Sequence, residues 1–146
     1  MVKKYPERYS YTNPKKAVDT LGGGFGYPIT VNNTGGVELQ TGVPHIGSCI
    51  KHFAMYDLTD LVGTPSFGGG VPSMLWKLIT GNLIGVKETQ MTEGLEQWEP
   101  RIEDVQTMIG KTNGNPNGLT SKVMFKAKVT GDMEALAFNV PLDERN

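Results

Sequence analysis

Apolar residues recur at every second position in two stretches near the C-terminal end of this sequence. They are Val123, Phe125, Ala127 and Val129 in the first stretch, and Leu136, Phe138 and Val140 in the second. Alternation at period two is typical of a β-strand with one buried face. The pattern therefore predicts strands over residues 121–130 and 135–140, separated by a turn.

A third strand is predicted upstream of these two. Val105, Thr107 and Ile109 alternate with polar residues, whereas Ile102 is out of phase with them. A single extra residue in a strand produces such a phase shift, and this is what a β-bulge does. We therefore expect a bulge near Glu103 and a C-terminal antiparallel meander.

The middle of the chain has helical spacing instead. One apolar stripe consists of Ile46, Ile50, Phe53, Ala54, Leu58 and Leu61, and two further helices are predicted at residues 73–80 and 87–98. In the last helix Met91, Leu95 and Trp98 share one face. Gly94 lies inside this helix at a cost of about 1 kcal/mol relative to Ala, which indicates close packing there.

The N-terminal part is rich in glycine and has no apolar period. Residues 1–24 predict an extended arm that leads into a flexible glycine hinge, LGGGFG, and residues 26–42 predict two short strands around a turn at residues 32–36. The chain therefore divides into an arm, residues 1–24, and a single domain, residues 25–146. The predicted fold class is α+β, with central helices packed on the antiparallel meander.

Composition excludes several classes of function. Fourteen Lys and Arg against fifteen Asp and Glu give a net charge of −1, so nothing indicates nucleic-acid binding. The most apolar stretch, residues 74–86, is broken by Lys77 and by Thr80-Gly81-Asn82, so we expect neither a membrane span nor a membrane partner. A single cysteine, Cys49, forms no internal disulfide and fits assembly in a reducing cytoplasm.

Two candidate binding chemistries lack a complete set of residues. His45, Cys49 and His52 have helical spacing, but three ligands on one helix rarely converge on one zinc ion, and no fourth ligand is evident. Gly110-Lys111-Thr112 matches the end of a phosphate-binding loop but lacks both the glycine five residues earlier and the helix that should follow. We therefore expect no metal ion and no cofactor.

Acidic residues around Trp98 leave a hydrolase open. Six acids and two bases lie between Lys87 and Asp104. Glycoside hydrolysis uses two carboxylates, one of them with a raised pKa, and Glu96 or Glu99 could contribute. Acids on the polar side of an amphipathic helix are more often a hydrated surface, so the hydrolase is the alternative hypothesis.

Glu99-Pro100-Arg101 is the sharpest local feature of the sequence. Pro100 ends a helix because it lacks an N–H and its ring clashes with the preceding turn. It also favours extended backbone at Glu99. The tripeptide predicts a rigid corner between a helix and a strand. Either Glu99 and Arg101 pair with each other or with water, or the corner contacts another protein.

The order of these features resembles the family of phage baseplate assembly protein W. These wedge proteins, which carry a lysozyme-like name, belong to contractile tails and have counterparts in type VI secretion baseplates. The matching positions are Gly26-Tyr27-Pro28, Gly35-Gly36, Ile46, Ile50, Leu58, Pro65-Ser66-Phe67-Gly68 and Trp98-Glu99-Pro100-Arg101-Ile102. The Glu-Pro-Arg corner after the last helix is the most specific of them.

The resemblance implies a non-enzymatic structural protein of the virion, assembled in the host cytoplasm and placed in the tail baseplate in multiple copies per ring. It implies binding to the core bundle of wedge proteins and to tube- or hub-proximal proteins, with strand edges on which the first ring of the tail sheath is laid. The expected partner-binding residues are Pro28, Phe67, Trp98, Glu99, Pro100 and Arg101. The alternative remains a lysozyme-like cell-wall glycoside hydrolase of the tail.

Overall fold

The computed structural model describes residues 21–114 and 118–140. In chain order its elements are β1 (Gly23–Phe25), β2 (Leu39–Thr41), α1 (Val43–Met55), α2 (Val71–Met74), α3 (Gly81–Trp98), β3 (Ile102–Lys111), β4 (Leu119–Ala127) and β5 (Met133–Val140). Helices occupy the middle and an antiparallel sheet the C-terminal end. The predicted α+β class is confirmed.

The C-terminal sheet has the strand order β3-β4-β5, and both pairs are antiparallel. Alternate residues of β4 are buried, including Val123 and Phe125, because one face of the sheet covers the core. β4 ends at Ala127, earlier than predicted, because the Gly131 N–H donates to the Ala127 carbonyl and turns the chain. Val129 is consequently exposed.

The predicted bulge is present in β3. Its register with β4 is irregular between Glu103 and Gln106, and Asp104 has a left-handed φ of 53°. The extra residue lets Ile102 and Val105 both face the core although they are three positions apart.

The core lies between the helices and the covered face of the sheet. Ile46, Ile50 and Phe53 of α1 meet Met91 and Leu95 of α3 within one apolar cluster that also includes the inward residues of the strands. The close packing predicted at Gly94 is confirmed, because a Cβ there would lie 2.5 Å from Phe53 Cζ.

The helix boundaries differ from the sequence prediction. α1 ends at Met55 because Tyr56 is extended, and Leu58 is exposed instead of continuing the stripe. Of the helix predicted at residues 73–80, only Ser73 and Met74 are helical, at the end of the four-residue α2, and Trp76 and Leu78 beyond it are exposed. α3 begins at Gly81, not near Lys87, because the Thr80 hydroxyl accepts the Leu83 N–H and caps it.

The N-terminal strands pair differently from the prediction. β1 pairs antiparallel with β2, and Val31 and Val37 form a bridge near the turn, so residues 23–25 are a strand where a hinge was predicted. The predicted arm, residues 1–24, lies mostly outside the described residues; of its end, Leu21 is buried in the core. Among the described helices, none is both long and apolar enough to cross a bilayer.

Candidate partner-binding site

The corner between α3 and β3 is closed by backbone hydrogen bonds. The Glu99 N–H donates to the Leu95 carbonyl at 2.9 Å and ends α3, and the Ile102 N–H donates to the Glu99 carbonyl at 3.2 Å. Lys128, which directly follows β4, donates from its Nζ to the Pro100 carbonyl at 2.8 Å. The exposed Pro100 therefore lies at the tip of a tightly held turn.

Glu99 and Arg101 pair with each other in a two-point contact. Arg101 Nε donates to Glu99 Oε1 at 2.6 Å, and Arg101 Nη2 donates to Glu99 Oε2 at 2.5 Å. Paired N–H groups in a planar fork match the two carboxylate oxygens, which makes this a strong type of ion pair. The hydrogen bonds that Arg101 donates to Glu99 raise the pKa of Arg101 further above its ordinary range.

Arg101 also connects the corner to distant parts of the chain. Its Nη1 donates to the Leu21 carbonyl at 2.8 Å, and its Nη2 approaches Cys49 Sγ of α1 at 3.4 Å. A guanidinium has five N–H donors, and these contacts with those to Glu99 engage four of them. The structure shows that Glu99 and Arg101 pair with each other, and a contact of the corner with another protein stays a prediction.

The candidate metal ligands of α1 do not converge. His45 Nε2 lies 3.7 Å from Cys49 Sγ, whereas the His52 ring stacks on Tyr27 instead. Burial raises the pKa of the Cys49 thiol, and burial, followed by the charge of Arg101, lowers the pKa of His45. Both groups are therefore neutral at pH 7, and no group of three potential ligands occurs in residues 21–114 and 118–140.

Aromatic rings link two of the predicted site residues, Phe67 and Trp98. Phe67 contacts Trp98 edge to face at 5.6 Å between ring centroids, and it also contacts Phe53 at 5.1 Å. His52 lies between Tyr27 and Phe67, and the exposed Pro28 follows Tyr27 in the chain. Edge-to-face pairs add to the stability that burial alone provides. We call Tyr27, His52, Tyr56, Phe67, Phe53 and Trp98 the aromatic row.

The sequence prediction missed Tyr27, His52 and Tyr56 as members of this row. The spacing of His52 and Tyr56, four residues apart near the end of α1, was an available signal because such residues lie on one helix face. Their rings lie 4.8 Å apart. The stacking of Tyr27 on His52 joins residues 25 positions apart, and nothing in the local pattern indicates it.

A groove between α1 and β5 lies away from the corner. It has a volume of about 300 Å³, and Gly47, Ser48 and Lys51 of α1 face Glu134 and Leu136 of β5 across it. Neither Glu96 nor Glu99 lines this groove. The carboxylates that the hydrolase hypothesis requires are thus absent from it, and both oxygens of Glu99 already accept from Arg101.

The outer edge of β5 lies beside the groove. The strand order β3-β4-β5 leaves β3 and β5 as the two edges of the sheet. At the β3 edge, Glu88 of α3 accepts the Ile109 N–H at 2.7 Å, so the helix covers that side. Within the described residues no strand pairs with the outer edge of β5.

No protein-family model matches the chain, and no curated protein matches it significantly. Three solved structures resemble it at TM-scores of 0.54–0.56. A protein described as a tail lysozyme from Geobacter sulfurreducens is 23% identical, with 69% of this chain and 91% of that chain covered, at a TM-score of 0.56.

The other two structures are baseplates. A chain of the six-fold symmetrised anti-feeding prophage baseplate is 18% identical to this chain at a TM-score of 0.55. The alignment covers 89% of this chain and 93% of that chain. A chain of the type VI secretion baseplate complex is 10% identical to this chain at a TM-score of 0.54. The alignment covers 65% of this chain and 88% of that chain. All three likenesses show that this chain shares its fold with chains of tail and baseplate structures.

Proposed function

We propose that this protein is a non-enzymatic structural component of the baseplate of a contractile tail or related injection machine. Two of its structural neighbours are baseplate chains. The Glu99-Pro100-Arg101 corner that carries the family resemblance lies, as in the sequence pattern, where the last helix meets the first long strand. In this role the chain joins the wedge core bundle to the tube or hub side and initiates the sheath by strand addition.

The observation that carries the proposal is the outer edge of β5, which no strand in residues 21–114 and 118–140 covers and which lies beside an open groove. An edge strand exposes unpaired N–H and C=O groups, and proteins usually protect such edges with lysine, proline or bulges. The β5 sequence, MEALAFNV, has none of these, and its pairing with β4 is continuous from Met133 to Val140. An extended segment of a sheath protein would pair with this edge through backbone hydrogen bonds.

The groove supplies a place for the side chains of the added strand. Side chains on a strand alternate between two faces, so every second residue of a segment on β5 would point toward α1. Glu134 and Lys51 lie on opposite sides of the groove and could pair with charges of either sign. Backbone pairing would then give affinity, and the groove would give selectivity.

The Glu99-Pro100-Arg101 corner would still face the wedge core bundle, but its charged side chains would not make the contact. Because Arg101 is engaged by Glu99, Leu21 and Cys49, its main effect is to hold the corner rigid. The contact surface would then consist of the exposed Pro28 and Pro100 with the half-buried Phe67 and Trp98. A preformed surface loses little conformational entropy on binding.

Gly47 offers a direct test of the groove. A Cβ at this position would meet Leu136 at 3.7 Å, which is ordinary contact, so Gly47→Ala should fold normally and leave the groove open. Gly47→Leu would place a larger side chain into the groove and block an incoming strand. Both variants would be expressed in place of the natural chain in the producing cells, and their thermal melts would confirm folding.

We expect tails with normal sheaths from Gly47→Ala and baseplates without sheaths from Gly47→Leu, counted by negative-stain electron microscopy. Mass spectrometry of the purified particles would confirm that the chain is present in both cases. Normal sheaths on Gly47→Leu particles would rule out the groove as the receiving site. Particles that contain no trace of the chain would rule out the structural role as a whole.

A cell-wall glycoside hydrolase is the second candidate, and one neighbour described as a tail lysozyme favours it. The test is the turbidity of a peptidoglycan suspension with purified protein and with Glu99→Gln. We expect no loss of turbidity with either. A loss with the natural chain that Glu99→Gln abolishes would replace the structural proposal with the enzymatic one.

A further inference from the structure

Glu134 is the one charged residue of β5, and it lies on the covered face of the strand. Side chains on a strand alternate between two faces. The other residues of the covered face are apolar and pack in or against the core: Leu136, Phe138 and Val140. Glu134 itself is half-buried beside the groove, next to the buried Phe125 of β4. A carboxylate therefore stands where an apolar residue would continue the pattern.

The carboxylate of Glu134 has no cationic partner in the part of the chain that the structure describes. Two ion pairs occur there, one at the corner and one between β3 and β4. Neither involves Glu134, and Lys51 lies across the groove without forming an ion pair with it. A half-buried carboxylate gains from a cation brought next to it, because water screens such a pair less than it screens a pair on an open surface.

The position of Glu134 on an edge strand affects which strands can pair with β5. A residue directly opposite Glu134 on an added strand would have its Cβ about 4.5–5.5 Å from that of Glu134, held there by the backbone hydrogen bonds. Opposite charges at this distance stabilise the pairing, and like charges destabilise it. An inward-pointing charge on an edge strand is also one of the devices that discourage pairing with unrelated strands. Glu134 would thus select among strands.

Lys51 also faces the groove, and its charge alone would favour an acidic residue on the added strand. Glu134 differs because it belongs to the receiving strand, so the pairing register fixes which residue lies opposite it. The Lys51 ammonium stands at the end of a flexible four-carbon stem. Such a stem can turn the ammonium toward water when another chain enters the groove. The contact with Glu134 is therefore the one that strand addition imposes.

We propose that the strand received by β5 carries a lysine or arginine directly opposite Glu134 and an apolar residue two positions away, opposite Leu136. The basic side chain pairs with the Glu134 carboxylate. The apolar side chain enters the groove beside Gly47, which lies against Leu136 and has no side chain of its own. This inference rests on the proposed function, because it requires the added strand, and it names the chemistry by which that strand is recognised.

The test changes the charge at position 134 of the full chain, expressed in place of the natural chain in the producing cells. Glu134→Lys reverses the charge, and Glu134→Gln removes it while keeping the shape of the side chain. Glu93→Lys is the matched control, because Glu93 is an exposed residue of α3 outside the groove. Gly47→Leu, which blocks the groove, gives the reference for lost strand addition. Thermal melts show which variants fold, and Glu134→Gln carries the test if Glu134→Lys does not.

We expect the fraction of tails with sheaths, counted by negative-stain electron microscopy, to fall about tenfold with Glu134→Lys and about threefold with Glu134→Gln. Glu93→Lys should leave this fraction unchanged. In a cryo-EM reconstruction of the natural tail end, the strand on β5 should place a lysine or arginine opposite Glu134. Changing that residue to Glu should restore sheaths to particles with Glu134→Lys, because opposite charges then face each other again.

The outcomes separate a failure of this inference from a failure of the proposed function. Normal sheaths with Glu134→Gln, when Gly47→Leu has none, would overturn the charge selection and leave strand addition standing. An equal fall with Glu93→Lys, or a strand on β5 with an acidic, neutral polar or apolar residue opposite Glu134, would do the same. Normal sheaths with Gly47→Leu, or a reconstruction without an added strand on β5, would overturn strand addition at this edge and the inference with it.

Discussion

The corner at residues 99–101 and the edge of β5 differ in how much of their binding capacity is still free. At the corner, opposite charges suggest a contact point, yet the two oxygens of Glu99 and four N–H groups of Arg101 already have partners inside the chain. On β5 no conspicuous residue stands out, yet within the described residues its outer edge is unpaired. A motif that stands out in the sequence can thus stabilise the fold, while an ordinary strand keeps the capacity to bind.

Removal of the Arg101 side chain should have the largest effect on stability. Arg101→Ala leaves Glu99, which is only 7% exposed, as a buried charge without its partner, and it also frees the Leu21 carbonyl. We expect the free energy of unfolding to fall by about 2–4 kcal/mol, below the full range for a completely buried pair because Arg101 is partly exposed. Urea unfolding followed by circular dichroism measures this loss.

Arg101→Lys is the matched control, because it keeps the charge but cannot engage both carboxylate oxygens in one plane. It should lose part of the stability that Arg101→Ala loses. A fall of less than about 1 kcal/mol for Arg101→Ala, the value of a typical exposed ion pair, would mean that Arg101 does not hold the corner rigid.

The packing beneath the corner should give the next largest effect. Gly94→Ala drives a Cβ into the Phe53 ring, and the resulting overpacking costs about 1–3 kcal/mol. Gly85→Ala in the same helix meets no atom within 4 Å and should stabilise the protein by up to about 1 kcal/mol. Thermal melts of the two variants should therefore shift in opposite directions. A shared direction would show that Phe53 moves aside without cost.

Titration of the Cys49 thiol should have a smaller, pH-dependent effect on the free energy of unfolding. Because burial raises the pKa of its thiol in the folded state, the folded protein retains this proton where the unfolded chain loses it. The stabilising contribution of the protonated Cys49 thiol is complete below the pKa that this thiol has in the unfolded chain. The contribution decreases as the pH rises from that value toward the pKa of the thiol in the folded protein. Under reducing conditions, stability between pH 7 and 9.5 should fall more steeply for the natural chain than for Cys49→Ala. Parallel curves would contradict the burial of the thiol.

The Glu103–Lys126 pair should show the smallest effect and provides a contrast with the corner. Its atoms lie 2.9 Å apart on the exposed face of the sheet. The hydrogen bond from Lys126 lowers the pKa of Glu103, so the stabilising contribution is present at neutral pH and is lost as the pH falls through that lowered value. In Lys126→Ala, NMR titration should return the Glu103 pKa toward its ordinary value with almost no change in melting temperature.

The strands were the most predictable part of the fold. Period-two alternation identified β3, β4 and β5, and the position of Ile102 out of step with Val105 located the bulge. Both patterns are visible in the sequence because each follows directly from which side chains of a strand face the core. Helix boundaries were less predictable. A gap was predicted between the helices at residues 73–80 and 87–98, yet the Thr80 cap begins α3 at Gly81.

The candidate site was predictable as a position but not as a set of contacts. Pro100 located the corner between helix and strand, as its missing N–H requires. The contacts of Arg101 with Leu21 and Cys49, however, join residues 80 and 52 positions apart. Only the folded arrangement of α1, β1 and α3 brings them together. The free edge of β5 likewise depends on strand order, which alternation alone does not give.

A cryo-EM reconstruction of the assembled tail end tests the central claim most directly. The proposal predicts a fourth strand, contributed by a neighbouring sheath chain, hydrogen-bonded to Met133–Val140 and lying beside α1. A reconstruction in which this chain is present but the outer edge of β5 faces solvent, while the sheath contacts some other surface, would contradict the proposal.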